Sequence, residues 1–385
     1  MIRAEIERLP GSRIREVANA GMGRSDVLAF WFGEGDEVTP EAVRQAATES
    51  LARGETFYSH NLGLLELREA LAAYTGGLHR PLAADRIAVT SSGVSALMIA
   101  TQMLAGAGDE VVVMTPVWPN LPAQPTILGA RVVRVPLRAH DGAWTLDMDR
   151  LLAAVTPATR MLLVNAPNNP TGWTLSRAEQ RTLLEHCRGN GTWIVADEVY
   201  ERLWYGDASA AAPSFLDVAE PDDRLIVSHS FSKSFLMTGW RLGWMVLPAA
   251  QLDAAGKLIE FNTSCAPVFV QRAGQAALEG AAVSVPALVA RMRQRRDLLV
   301  AGLKALPGVQ VASPLGGMYA FLRIAGHSDD SLAFAKRLVS DHGLGLAPGV
   351  AFGDEAQGWL RWCFASRDPM RLDQGLARLA QALRL

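Results

Sequence analysis

Short apolar runs alternate with longer stretches of helical spacing through the middle of the chain. Residues 86–90, 110–114, 131–135, 160–164, 192–196 and 225–228 form brief runs rich in Val, Ile or Leu. Runs that are apolar at successive positions suit strands covered on both faces. Between them, 94–104 and 176–188 carry apolar residues at helical intervals. The second stretch opens with Ser176 and Glu179, the pairing of a capping box, and is expected to stop at Gly189. This alternation predicts an α/β unit around a mostly parallel sheet, with its functional residues at the carboxyl ends of strands.

Beyond Pro286 the texture changes. A charged helical pattern covers 291–304 and breaks at Pro307 and Gly308. Short strands at 309–312, 318–324 and 359–364 then mix with helices near 331–342 and 372–383. The pattern predicts a smaller α+β domain, which the first residues are expected to join. Residues 48–285 would form the large domain, and 1–47 with 286–385 the small one.

Composition narrows the function classes. Of 385 residues, 49% are hydrophobic and 20% charged, as in an ordinary globular protein. The net charge of −2 provides no positive field for nucleic acid or anionic membrane. Arg3, Glu5, Glu7 and Arg8 interrupt any apolar core of a secretory signal, and no run is long enough to span a bilayer. A cytoplasmic address is the expectation. Cys187, Cys265 and Cys363 are odd in number and lack CxxC spacing, so reduced cysteines packed as small hydrophobes are expected. The seven histidines are scattered without an HExxH pair, and no metal is expected.

The segment SHSFSKSFLMTGWRLG, 228–243, holds the most chemistry. Lys233 sits in a small, hydroxyl-rich, mostly apolar stretch after a strand, with Arg241 eight residues on. Lysine forms imines with carbonyl cofactors once its amine can lose a proton, and desolvation lowers its pKa in that direction. Arg241 can clamp a phosphate bidentately, with Ser230 and Ser232 adding hydroxyls. Taken alone, the same residues read as a surface lysine and an arginine paired to some carboxylate. Asp197 ends the run 192–196, where a carboxylate can pair with a protonated pyridine nitrogen or simply cap the next helix. Tyr200 follows three residues later. In NAPNNPTG, 165–172, two prolines and a glycine make a stiff turn that presents Asn169. TSSGVSAL, 90–97, runs from strand into helix through Ser92 and Gly93, and N–H groups at a helix start favour anions. Trp118, after another strand, suits stacking on a planar ring or an ordinary place in the core.

In this order and spacing, NNPTG, DEVY and SFSK followed by GWRLG resemble the class I/II aminotransferases of the aspartate aminotransferase-like fold, fold type I, from about Phe32 to the C-terminus. The resemblance implies a mostly parallel, seven-stranded type of sheet sandwiched by helices, plus the smaller domain. It implies pyridoxal phosphate carried on Lys233, which also shuttles the proton. Asp197 would pair with the pyridine nitrogen, and Tyr200 and Asn169 would bond the phenolate oxygen. Ser92, Gly93 and Val94, with Ser230 and Arg241, would hold the phosphate, and Trp118 would stack on the ring. Arg361, in WLRWCF, would grip the substrate α-carboxylate, and Gly33, in FGEGD, would make a backbone contact. Tyr58, in ETFYSHNLG, would reach the phosphate of the neighbouring subunit, which implies a homodimer.

Gly35, Val94 and Leu121 depart from the family pattern and bear on the pocket's shape more than on its chemistry. The implied activity is transfer of an amino group between an α-amino acid and a 2-oxo acid by two half-reactions. A C–S β-lyase, a cyclising synthase or a non-catalytic pyridoxal-phosphate-binding protein are the alternatives. Residues 30–32 and 58–60 are candidate pocket walls, and Arg24 a candidate receptor for an acidic side chain.

Overall fold

The computed structural model describes residues 2–140, 143–207, 209–327 and 329–383. Its main sheet has seven strands: β1 (Ile87–Thr90), β2 (Glu110–Thr115), β3 (Arg131–Pro136), β4 (Thr159–Asn165), β5 (Trp193–Asp197), β6 (Leu225–Ser230) and β7 (Gly243–Val246), in the order β1-β7-β6-β5-β4-β2-β3. Six run parallel, and β7 lies antiparallel to both its neighbours. The six parallel strands fall on the six apolar runs read from the sequence. Successive residues of a run serve opposite faces: Val111 and Val113 join one buried cluster, Val112 and Met114 the other.

The seventh strand, β7, does not follow from the alternation, because it continues directly from the GWRLG motif with no α-helical stretch between it and β6. It locks β1 to β6, since Gly243 sits opposite both Thr90 and Ser230. A Cβ on Gly243 would stand 2.5 Å from the Gly93 nitrogen, so a glycine is required where these backbones cross.

Two helix boundaries differ from expectation. Helix Arg177–Asn190 opens on the capping box of Ser176 and Glu179 but runs through Gly189; the chain leaves it at Gly191, φ 73°. Pro286 breaks nothing: it lies inside helix Ala281–Lys304, and the 77° bend falls before that helix, after Val268–Glu279.

The second sheet is antiparallel, with β8 (Val309–Val311), β9 (Tyr319–Ile324), β10 (Ala347–Pro348) and β11 (Trp359–Cys363) in the order β8-β9-β11-β10. Helix Arg13–Gly21 packs on Ser331–His342, and Leu28–Ala29 pairs with Leu344–Gly345, tying the N-terminus to this part. Helix Glu41–Ala52 packs on Val268–Glu279. Between those two attachments, residues 30–36 cross from the second sheet toward the first. The crossing matters for the site.

A polar cluster is buried in the larger part. His79 bridges Asp217 (Nδ1–Oδ1 2.9 Å) and Glu201 (Nε2–Oε2 3.0 Å). Glu201 also lies 3.4 Å from His229, whose ring stacks on Trp244 at 4.9 Å. Glu198 accepts from Ser214 Oγ and from the Phe215 N–H at 3.0 Å. His79, Glu198 and Glu201 offer atoms within 4.8 Å of one another, but both carboxylates and the imidazole are already engaged in hydrogen bonds.

Candidate active site

A cavity of about 600 Å³ opens where the carboxyl ends of β4, β5 and β6 meet the second sheet. Asn165, Asp197 and Ser230 end those three strands; Gly93 and Val94 start a helix after β1. Lys233 and Arg241 come from the loop after β6, Tyr319 and Arg361 from β9 and β11, and Phe32 and Gly33 from the crossing segment. Strand ends, a helix start and a second sheet thus converge on one volume.

Lys233 is half-buried and donates from Nζ to the Gly33 carbonyl. Loss of solvent pushes its pKa down to about 8; Cys363 and Glu34 pull it upward, while Arg361 and Arg241 depress it further. Asp197 is buried, and that burial raises its pKa to about 7 against the opposing effects of the Val199 N–H and the Lys233 charge. A cation beside it would favour its ionised form. Asn165 donates to Asp197 Oδ2 at 3.2 Å and accepts the Asn169 N–H at 2.7 Å. The NAPNNPTG turn is therefore fastened to the Asp197 strand.

Tyr200 and Tyr319 share a hydroxyl–hydroxyl hydrogen bond of 2.7 Å. Burial raises both phenols, Tyr319 to about 12, so each keeps its proton at neutral pH. Arg361, 2% exposed, is clamped between the Tyr319 and Phe352 rings, 4.3 and 4.8 Å from their centroids. Its Nη1 donates to Asn169 Oδ1 at 2.8 Å and its Nη2 to the Trp31 carbonyl, while its Nε is buried without a partner. A buried charged donor left open calls for an anion.

A second anion cradle lies at the helix start. Ser92 takes φ 125° and its Oγ caps the helix by accepting the Ser95 N–H at 3.1 Å. Ser230 Oγ donates to Ser232 Oγ at 2.9 Å, and a Cβ on Gly93 would sit 3.0 Å from the Ser230 Cβ. Arg241, in left-handed backbone geometry at φ 55°, commits Nη1 to the Thr238 carbonyl. The residues at this end are hydroxyls, helix-start amides and a guanidinium, the donor set of a phosphate site.

The aminotransferase class I and II family model matches residues 29–379. An aspartate aminotransferase of Pyrococcus horikoshii is 32% identical over 97% of this chain and 94% of its own. An arginine–pyruvate transaminase of Pseudomonas aeruginosa is 34% identical over 90% and 87%. The solved aspartate aminotransferase of Thermotoga maritima superposes with a TM-score of 0.90 at 32% identity, over the full length of both chains. The chain belongs to the class I and II aminotransferases. Enzymes of this family move amino groups between amino acids and 2-oxo acids on pyridoxal phosphate. The residues present suit that group: a phosphate cradle at one end, a carboxyl without a cation at the other, and a lysine of lowered pKa between them.

Twelve of the residues singled out in the sequence line this aminotransferase cavity: Gly33, Gly93, Val94, Trp118, Asn169, Asp197, Tyr200, Ser230, Ser232, Lys233, Arg241 and Arg361. Ser92 stands behind the wall as helix cap, and Tyr58 lies on the surface, 87% exposed. Of residues 30–32, Phe32 lines the cavity, while Phe30 packs on Trp362 in the core. His60 turns its Nδ1 to the Leu62 N–H rather than to the cavity. Arg24 is no receptor: it pairs with Asp26 at 2.7 Å, away from the cavity. Tyr319, Asn165 and Arg15 line the cavity without having been read from the sequence. Asn165 was within reach, as the first residue of NAPNNPTG; Tyr319 and Arg15 carry no local signal.

Proposed function

We propose that this aminotransferase holds pyridoxal phosphate on Lys233 and works through the cavity residues in two half-reactions. The observation that carries the reading is Lys233 itself, an amine of lowered pKa facing Asp197, Tyr200 and Arg361 across one cavity. Ser92, the Gly93 and Val94 amides, Ser230 and Arg241 hold the phosphate. Trp118 covers one face of the ring, and Asn169 and Tyr200 bond its phenolate oxygen, Tyr200 exchanging its present partner Tyr319 for that oxygen.

Bound there, the cofactor supplies an electron-accepting ring for the pair left when the substrate Cα–H bond breaks. Asp197, ionised beside a protonated ring nitrogen, keeps that proton in place. Arg361 takes the α-carboxylate and orients the Cα–H bond toward Lys233, whose Nζ removes and returns the proton. Gly33 adds its backbone to the substrate wall.

The test is a half-reaction with excess amino donor and no acceptor. An aminotransferase releases one equivalent of 2-oxo acid per chain and stops until a second 2-oxo acid is added. Continuous ammonia release without an acceptor would assign the chain to β-elimination.

Solvent-facing aromatics support a homodimer. Phe57, Tyr58 and Phe261 are 84%, 87% and 86% exposed, which is costly for rings left in water. In a dimer the Tyr58 hydroxyl completes the partner subunit's phosphate site. Tyr58→Phe is then expected to weaken cofactor retention several-fold with the fold intact, read by equilibrium dialysis. Active monomers in sedimentation at assay concentration would refute it.

A further inference from the structure

Tyr319 touches three parts of the site, yet the chemistry above uses it only as the partner whose place the cofactor oxygen takes. It stands on β9, 1% exposed, and lines the cavity. The second sheet sets its position. Tyr319 pairs with Cys363 and Phe321 with Arg361, so Tyr319 and Arg361 are diagonal neighbours on one face. That places the ring against the guanidinium, 4.3 Å from Cζ to centroid. The hydroxyl reaches further, to Tyr200 at 2.7 Å, and the two rings meet edge to face at 79°. It also fills the space that a side chain at Gly33 would need. A Cβ there would stand 2.0 Å from the hydroxyl oxygen and 3.1 Å from Cζ. Tyr205 is the contrast: also buried, it donates to the Gly317 carbonyl at 2.8 Å and stands outside the cavity.

Either oxygen of the tyrosine pair can be the donor. Once Tyr200 turns its one proton to the phenolate oxygen, its lone pairs stay open and Tyr319 becomes the donor. A hydroxyl that accepts one hydrogen bond donates a stronger one, the more so away from water. Arg361, Asp197 and Cys363 are the titratable groups acting on the pair, and Lys233 Nζ lies 5.9 Å from the Tyr200 ring centroid.

We propose that Tyr319 is a positioning residue of this site, with two separable parts. Its hydroxyl strengthens, through Tyr200, the hold on the phenolate oxygen. Its ring fixes the plane in which Arg361 meets the α-carboxylate. The assignment rests on the aminotransferase reading above. It also accounts for glycine at position 33, where any side chain would push the hydroxyl off Tyr200.

The test separates the two parts, because Tyr319→Phe keeps the buried ring and Tyr319→Leu removes it. In cofactor-loaded protein, the pH midpoint of the cofactor's absorbance change is expected to rise by about 0.3–1 unit in Tyr319→Phe, the span of one neutral hydrogen bond. Tyr200→Phe should raise it further. The sign follows from the phenolate: a weaker donor leaves its charge less stabilised, so the proton beside it is held to higher pH. KM for 2-oxoglutarate and for pyruvate is expected to stay within about twofold in Tyr319→Phe and to rise about 5- to 30-fold in Tyr319→Leu. Gly33→Ala displaces the same hydroxyl, so its midpoint should also rise, and the double variant Gly33→Ala/Tyr319→Phe should move no further than Tyr319→Phe alone. An unmoved or lowered midpoint in Tyr319→Phe, additive shifts in the double variant, or equal KM values in Tyr319→Phe and Tyr319→Leu would overturn the assignment. If the half-reaction releases no 2-oxo acid at all, the aminotransferase reading fails, and the absorbance midpoints still decide Tyr319 by themselves.

Discussion

Lys233→Ala is expected to lower the transamination rate by about 10²- to 10⁴-fold, the span of a positioned general base, and to leave the fold intact. The side chain stands in a cavity wall, so its truncation removes no core packing. Ser230, Arg241 and the helix start remain to hold phosphate, and the variant should still take up cofactor. In the wild type, borohydride should fix the cofactor on the peptide containing Lys233. Label on Lys257 or Lys304 instead would overturn the assignment. Lys257 is a useful contrast, since it is exposed and paired with Asp253 at 2.6 Å. The lowered pKa adds a pH signature. Cofactor uptake by the stripped protein should accelerate as pH rises toward about 8, where the Lys233 amine becomes neutral, rather than toward the 10.5 of an ordinary lysine. A rise centred near 10.5 would mean that the reacting amine is a solvated one.

His79→Leu is expected to cost about 3–5 kcal/mol of folding stability near neutral pH, the range for breaking a buried ion pair. The His79 side chain is 2% exposed and faces Glu201 and Asp217, with Glu198 close enough to act on its charge. Burial alone would lower its pKa, but the two hydrogen-bonded carboxylates outweigh burial and raise it to about 10. Glu201 and Asp217 are driven up by burial and held down, on balance, by their partners: His229, His79 and Arg202 for the first, His79 and Arg177 for the second. Leucine would remove the hydrogen-bonding partner the two carboxylates share, leaving Asp217 with Arg177 and Glu201 with only the charge of Arg202 nearby.

The folded pKa of His79 exceeds its unfolded value of 6.5, so its contribution is full below about pH 6.5 and is lost as pH rises through about 10. Glu198, raised by burial to about 8, acts in the same direction, its contribution fading as pH climbs from the ordinary carboxylate range through that value. Chemical denaturation of wild type and variant at pH 6.5 and 10.5 is the measurement. The gap should shrink markedly at the higher pH; an unchanged gap would assign the loss to packing instead.

How much of this was legible in the sequence follows from the range of the forces involved. The six parallel strands could be read because a strand buried on both faces must be apolar at every position, and that leaves a mark in any short window. Helix Ser331–His342 and the capping box at Ser176 and Glu179 could be read for the same reason, their signals lying within a few residues. Strand β7 could not, since its pairing depends on Thr90 and Ser230, far away along the chain. Pro286 misled because a proline disfavours a helix locally, yet packing of a long helix tolerates one.

The sequence by itself determined the chemical parts: a lysine among hydroxyls, an aspartate ending a strand, a stiff asparagine turn and a glycine-led helix start. Each depends on residue type and close spacing, and each reaches the cavity. Only the tertiary structure decided which distant groups meet them. Tyr319 pairs with Tyr200 across 119 positions, Arg361 reaches Asn169 across 192, and Arg15 arrives from a helix anchored to the second sheet. Contacts of that separation are set by how the crossing segment and the two sheets pack. A side chain's neighbours in sequence carry no record of them.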